Sequence, residues 1–156
     1  MRSPLNSISL GAQRVHICPL VVASSLALVF AALGALHVFW ALGGRLGSGS
    51  VVPEVNGQRA FTPTPAATFA VALTLFVAST LILGRAGVFG SLVPAALFKW
   101  PVFILGFVFL VRAVGEFKLV GLFKRVRGTS FATWDTWLFS PLCLAISFGA
   151  LWLSLR

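Results

Sequence analysis

The sequence predicts an all-α integral membrane protein, a single domain of four transmembrane helices with its charge gathered at one end. Three observations predict it. Hydrophobic residues make up 58% of the chain and charged residues only 10%, against roughly 25% charged in a soluble domain. Four stretches, 15–44, 60–84, 100–111 and 136–155, contain no Asp, Glu, Lys or Arg. The residues between those stretches are the types that end helices or sit in polar loops.

A span needs about 20 apolar residues at a rise of about 1.5 Å each. The first, second and fourth stretches meet that length outright. The third meets it if its helix starts near Pro94 and Lys99 snorkels to the interface. In 156 residues this leaves one transmembrane domain, preceded by an N-terminal tail over 1–14. The basic start resembles a signal peptide, but the apolar core is longer than the usual 7–15 residues or so and lacks a small-x-small cleavage site. The first stretch therefore reads as a retained span.

Each element follows from its punctuation. The first helix is expected over 17–42, with Pro19 in its first turn and Gly43-Gly44 as the stop. The second is expected over 65–83, with Thr64 as N-cap, Pro65 at the first helical position and Gly84 after it. The third is expected over 94–115, kinked at Pro101. The fourth is expected over 135–155, either starting late or bending at Pro141, with Asp135 as its cap.

The loops differ in character. Residues 43–64 are rich in Gly, Ser and Pro and read as irregular. Residues 84–93 form a short turn. Residues 112–135 hold seven of the fifteen charged residues. Within them Phe117, Val120, Phe123 and Val126 recur every three residues among lysines and arginines. That pattern predicts an interfacial helix over 117–127.

The net charge of +9 would point to nucleic acid in a soluble protein. Here the basic residues lie between apolar stretches, where they meet anionic headgroups and fix topology. Nucleic-acid binding is excluded on that ground, and membrane lipids are the expected partners. A homo-oligomer or a membrane-protein partner is the other partner class. Cys18 and Cys143 fall near opposite membrane faces, too far apart for a disulfide.

Four spans put both termini on one side. Seven Lys/Arg lie on the loop side against five on the terminal side, a lean toward loops 43–64 and 116–134 being cytoplasmic in a bacterial cell membrane. The same topology brings His37, Trp40 and Arg45 to one face with Arg112, Glu116, Lys118 and Asp135. Ionisable groups at membrane depth are costly, so each needs a reason. His37, Trp40, Arg112, Glu116, Lys118 and Asp135 are the ligand-binding candidates. Arg112 and Glu116, four apart on one helix, are expected to pair. Lys124, Arg125 and Arg127 are expected to meet headgroups and fix topology.

No metal-ligand spacing, nucleophile elbow or phosphate loop occurs, so no metal, cofactor or catalytic residue is assigned. The favoured reading is a non-enzymatic protein that binds an anionic headgroup or small anion at the polar end. Three others stand beside it: an intramembrane isomerase or lipid-modifying enzyme using His37 and Glu116 as acid and base, an accessory subunit of a larger membrane complex, and a small oligomeric transporter.

The runs His37-Val-Phe-Trp40-Ala-Leu-Gly43-Gly44, Arg112-Ala-Val-Gly-Glu116-Phe-Lys118, Gly121-Leu-Phe-Lys-Arg-Val-Arg-Gly-Thr129, Trp134-Asp135-Thr136 and Ser140-Pro-Leu-Cys143 together resemble a bacterial membrane-protein family catalogued as domain of unknown function 3995. The resemblance covers about residues 20–155. In the third run the family often has an aromatic where this chain has Leu122. The resemblance implies a small four-helix membrane protein and assigns no role to any residue.

Overall fold

A computed structural model describes the backbone of residues 4–47, 50–55, 58–90 and 92–156. Side chains are described for the same residues except 4–17, 54, 55 and 59. Among the described residues, four helices are long and apolar enough to cross a membrane, and they make up the fold.

Helix α1 runs from Pro4 to Ala41, and its apolar span is Cys18–Ala41. The helix therefore extends well before the expected start at 17, through most of the segment read as a tail, and Pro19 is internal rather than in the first turn. Helix α2 is Pro65–Arg85, with the Thr64 hydroxyl accepting from the Ala67 amide as its cap. Between them β1 (Glu54–Val55) and β2 (Gln58–Arg59) form a minimal antiparallel ladder in the loop that reads as irregular.

Helix α3 spans Ala95–Val114. It opens with a 3-10 turn over Ala95–Phe98 and becomes α-helical at Lys99. Pro101 thus falls in the first α turn, where a missing N–H costs little, and the irregularity precedes it.

Helix α4 spans Ser130–Leu155, five residues longer at its start than the expected 135–155. Thr129 is its N-cap, accepting from the Ala132 amide. Asp135 is therefore not a cap. Its five-residue stretch Asp135–Phe139 is π-helical before α geometry resumes at Ser140. Pro141 explains the widening: it cannot donate to the Trp137 carbonyl, and its ring would crowd that carbonyl in a regular turn. The Ser140 amide bonds back to the Asp135 carbonyl instead.

Packing is tightest between α1 and α2 and between α3 and α4, with α1 and α4 joining the pairs. Ala23, Leu26, Ala27 and Phe30 of α1 meet Ala78 and Ile82 of α2, Val102 of α3, and Ile146, Ala150 and Leu153 of α4. Small residues permit close approach. A Cβ at Gly106 would lie 2.8 Å from Leu151 Cγ and 3.1 Å from the Leu151 amide nitrogen. Large apolar side chains such as Leu28, Leu73, Ile104 and Phe148 face outward, as lipid-facing surfaces require.

Two contacts fix which helix ends come together. Ser50 Oγ lies 3.0 Å from Ser130 Oγ, tying the α1–α2 loop to the start of α4. At the opposite end, an Arg85 guanidinium nitrogen donates to the Ser154 carbonyl. The end of α1, the start of α2, the end of α3 and the start of α4 thus form one end of the bundle.

The expected interfacial helix over 117–127 does not form. Residues 115–129 contain only bends, turns and irregular backbone. Gly115, Gly121 and Gly128 all have positive φ, as does Phe117 at 64°, and a helix admits none of these. Gly115 and Gly121 press backbone to backbone, so that a Cβ on Gly121 would sit 2.5 Å from the Gly115 Cα. The Leu122 amide closes the loop onto the Ala113 carbonyl at 2.9 Å.

A buried carboxylate with two cations

Asp135 lies in the π-helical stretch of α4, where the widened turn carries its side chain into the bundle, fully buried. Burying a lone carboxylate is prohibitive, so it must be paired. Its Oδ1 accepts from Arg112 of α3 at 2.9 Å. Its Oδ2 accepts from Lys124 Nζ at 3.0 Å and from the Gly121 amide at 2.8 Å.

Lys124 is as buried as its partner, with 2% of its side chain exposed. An ammonium has three donors. Here they go to Asp135 Oδ2, to the Gly121 carbonyl at 3.2 Å and to Thr136 Oγ1 at 2.6 Å. Thr136 passes its own proton to the Ala132 carbonyl. The set is saturated at Lys124 but not at Arg112, whose buried Nη1 has no partner among the described residues. Two cations meet one carboxylate, leaving a unit of positive charge on the cluster.

Beside the cluster lies a cavity of about 200 Å³, lined by Lys124, Arg127, Thr133, Thr136 and Trp137 among others. Trp137 is 80% exposed, as a side chain at a membrane–water interface is.

A second cavity, of about 590 Å³, opens between the end of α1, the loop and the first turns of α2. His37 and Trp40 line it. His37 Nδ1 lies 2.8 Å from the Leu33 carbonyl, so that nitrogen carries the proton and donates. The two rings meet edge to face at 5.1 Å, and Trp40 Nε1 donates to the Leu46 carbonyl at 2.7 Å.

The six ligand-binding candidates are therefore divided. Arg112 and Asp135 belong to the buried cluster. His37 and Trp40 belong to the α1–α2 cavity. Glu116 and Lys118 are exposed and line neither cavity. The expected Arg112–Glu116 pair is replaced by Arg112–Asp135, because the chain turns at Gly115, with φ 84°, and takes Glu116 off the helix face. Nor do His37 and Glu116 share a cavity, which the acid–base pairing requires. Among the lysine and arginines expected to meet headgroups, Arg125 and Arg127 are exposed but Lys124 is buried. Nothing in the spacing of Lys124 distinguishes it from Arg125. Cys18 and Cys143 are unbonded, and no three His, Cys, Asp or Glu side chains converge among the described residues.

Four apolar helices and a charge cluster buried at one end define a multi-pass α-helical membrane protein. The chain belongs to the family described as "Protein of unknown function (DUF3995)", whose model matches residues 30–150 and so takes in the cluster and both cavities. No curated protein and no solved structure matches it.

Proposed function

We propose that this protein binds anionic lipid headgroups at the charged end of its bundle, without catalysing a reaction. The observation that carries the reading is the cavity between Arg127, Thr133, Thr136 and Trp137, which has the buried Lys124 in its wall. Lys124 has no donor left for a ligand, so it contributes field rather than a hydrogen bond. The excess charge of Arg112 and Lys124 over Asp135 favours an anion there. Arg127 supplies a guanidinium suited to a phosphate, and Trp137 an aromatic at headgroup depth. Lys118 and Arg125, exposed on the same loop, add attraction of about 1 kcal/mol each near an anionic surface.

The same end carries seven of the twelve Lys/Arg residues, which favours the cytoplasmic side of a cell membrane for it. Lipid retention by purified protein tests the reading. In nanodiscs mixing phosphatidylglycerol with phosphatidylcholine, the protein should enrich the anionic lipid in its native mass spectrum. The variant R125A/R127A should lose about thirtyfold of that preference, at about 1 kcal/mol for each arginine. Equal retention of the two lipids by the wild-type protein would sink the proposal.

A further inference from the structure

The second cavity has a different chemistry, and the geometry points to a binding site for an uncharged, membrane-soluble molecule with an apolar body and a hydroxyl head. Its walls are largely apolar: Trp40 of α1, Val52 and Phe61 of the loop, Ala67 and Val71 of α2. At about 590 Å³ it falls within the range of small-molecule sites, roughly 300–1,000 Å³. No charged side chain lines it among the described residues.

The polar feature of interest is His37, held on two sides. Its Nδ1–H is committed to the Leu33 carbonyl, and its ring is braced by Trp40, itself tethered through the Leu46 carbonyl. In the neutral imidazole this leaves Nε2 as a fixed acceptor, and no hydrogen bond reaches it among the described residues. An acceptor of set orientation in the wall of a largely apolar cavity favours a neutral donor on an apolar body, and a hydroxyl is the simplest such donor. Thr64 also lines the cavity, and its hydroxyl oxygen accepts from the Ala67 amide, which leaves its proton free to donate.

The site is tested on the full chain in phosphatidylcholine nanodiscs, with farnesol, its hydrocarbon counterpart farnesene and farnesoic acid as probes, each corrected for uptake by empty discs. Farnesol should be retained about fivefold better than farnesene, the worth of one hydrogen bond. His37→Phe should remove that preference, and Val71→Trp, which fills the cavity, should reduce retention of both. In ¹⁵N-histidine spectra the His37 Nε2 resonance should move with farnesol and stay with farnesene. That measurement needs only the wild-type protein, and so stands even if a variant misfolds. Equal retention of alcohol and hydrocarbon, preference for the acid, or an unmoved Nε2 resonance would each overturn the inference.

Discussion

Lys124 Nζ lies 3.0 Å from Asp135 Oδ2, and neither side chain is more than 2% exposed. The two residues are eleven apart, and one belongs to a loop and the other to a helix. Their contact ties the middle of the segment between α3 and α4 to the helix that follows it.

Asp135→Asn should be the most damaging single change in the cluster. It leaves Lys124 and Arg112 facing each other without a carboxylate, and breaking a buried pair costs about 3–5 kcal/mol. Lys124→Met should cost less, because Arg112 still neutralises Asp135 and a thioether tolerates the buried site. Denaturant titration of the purified protein in micelles measures both. The reverse order would show that Asp135 is not the centre of the cluster.

Gly121→Ala and Gly128→Ala separate crowding from backbone strain. Both glycines have positive φ, 93° and 85°. A Cβ at Gly128 meets open space, whereas one at Gly121 meets the Gly115 backbone and the Val114 carbonyl. Gly128→Ala should cost about 1–2 kcal/mol, the strain alone. Gly121→Ala should cost at least twice that in the same titration.

Gly106→Ala should weaken the α3–α4 pair by about 1–3 kcal/mol, the usual cost of overpacking. Adding Leu151→Ala should recover only part of this, because the Leu151 amide nitrogen, at 3.1 Å from the added Cβ, is not removed by truncating the side chain. Full recovery in the midpoint of unfolding would mean that the side chain alone limits the approach.

Headgroup binding and cluster stability should respond differently to salt. The screening length falls from about 10 Å at 0.1 M to about 3 Å at 1 M. Retention of phosphatidylglycerol should drop over that range, since Lys118, Arg125 and Arg127 are exposed. The unfolding midpoint should hold nearly constant, since Lys124 and Asp135 are shielded from the solvent. A parallel fall in both would place the lipid on the cluster itself.

The spans were legible because bilayer thickness imposes a length on apolar runs, and Thr64-Pro65 and Gly84 mark α2 to within two residues of Pro65–Arg85. The gathering of Arg112 and Asp135 at one end was legible from the parity of the helices alone. The partnership of Lys124 was not. It depends on the loop backbone turning at Gly115 and Gly121, and a three-residue apolar period hid those turns. Gly121 in the middle of that period was the available warning, since glycine costs a helix about 1 kcal/mol. Asp135 has the chemistry of a cap, but the helix starts earlier and the Thr129 hydroxyl takes that role. The division of His37 from Glu116 lay beyond the sequence, since parity assigns residues to an end of the bundle and not to a cavity.

The loop before α4 takes its form from a carboxylate that the ribosome adds after it. Arg112 and Lys124 precede Asp135 in the chain, so both cations are synthesised before the carboxylate that pairs with them. Once α4 docks, Lys124 is withdrawn from water and the carboxylate offsets one of the two charges. The positive charge of the nascent segment thus exceeds the charge that the folded protein displays. Asp135→Asn should accordingly leave membrane orientation unchanged while lowering stability by about 3–5 kcal/mol, which separates the charge of the basic segment from its pairing.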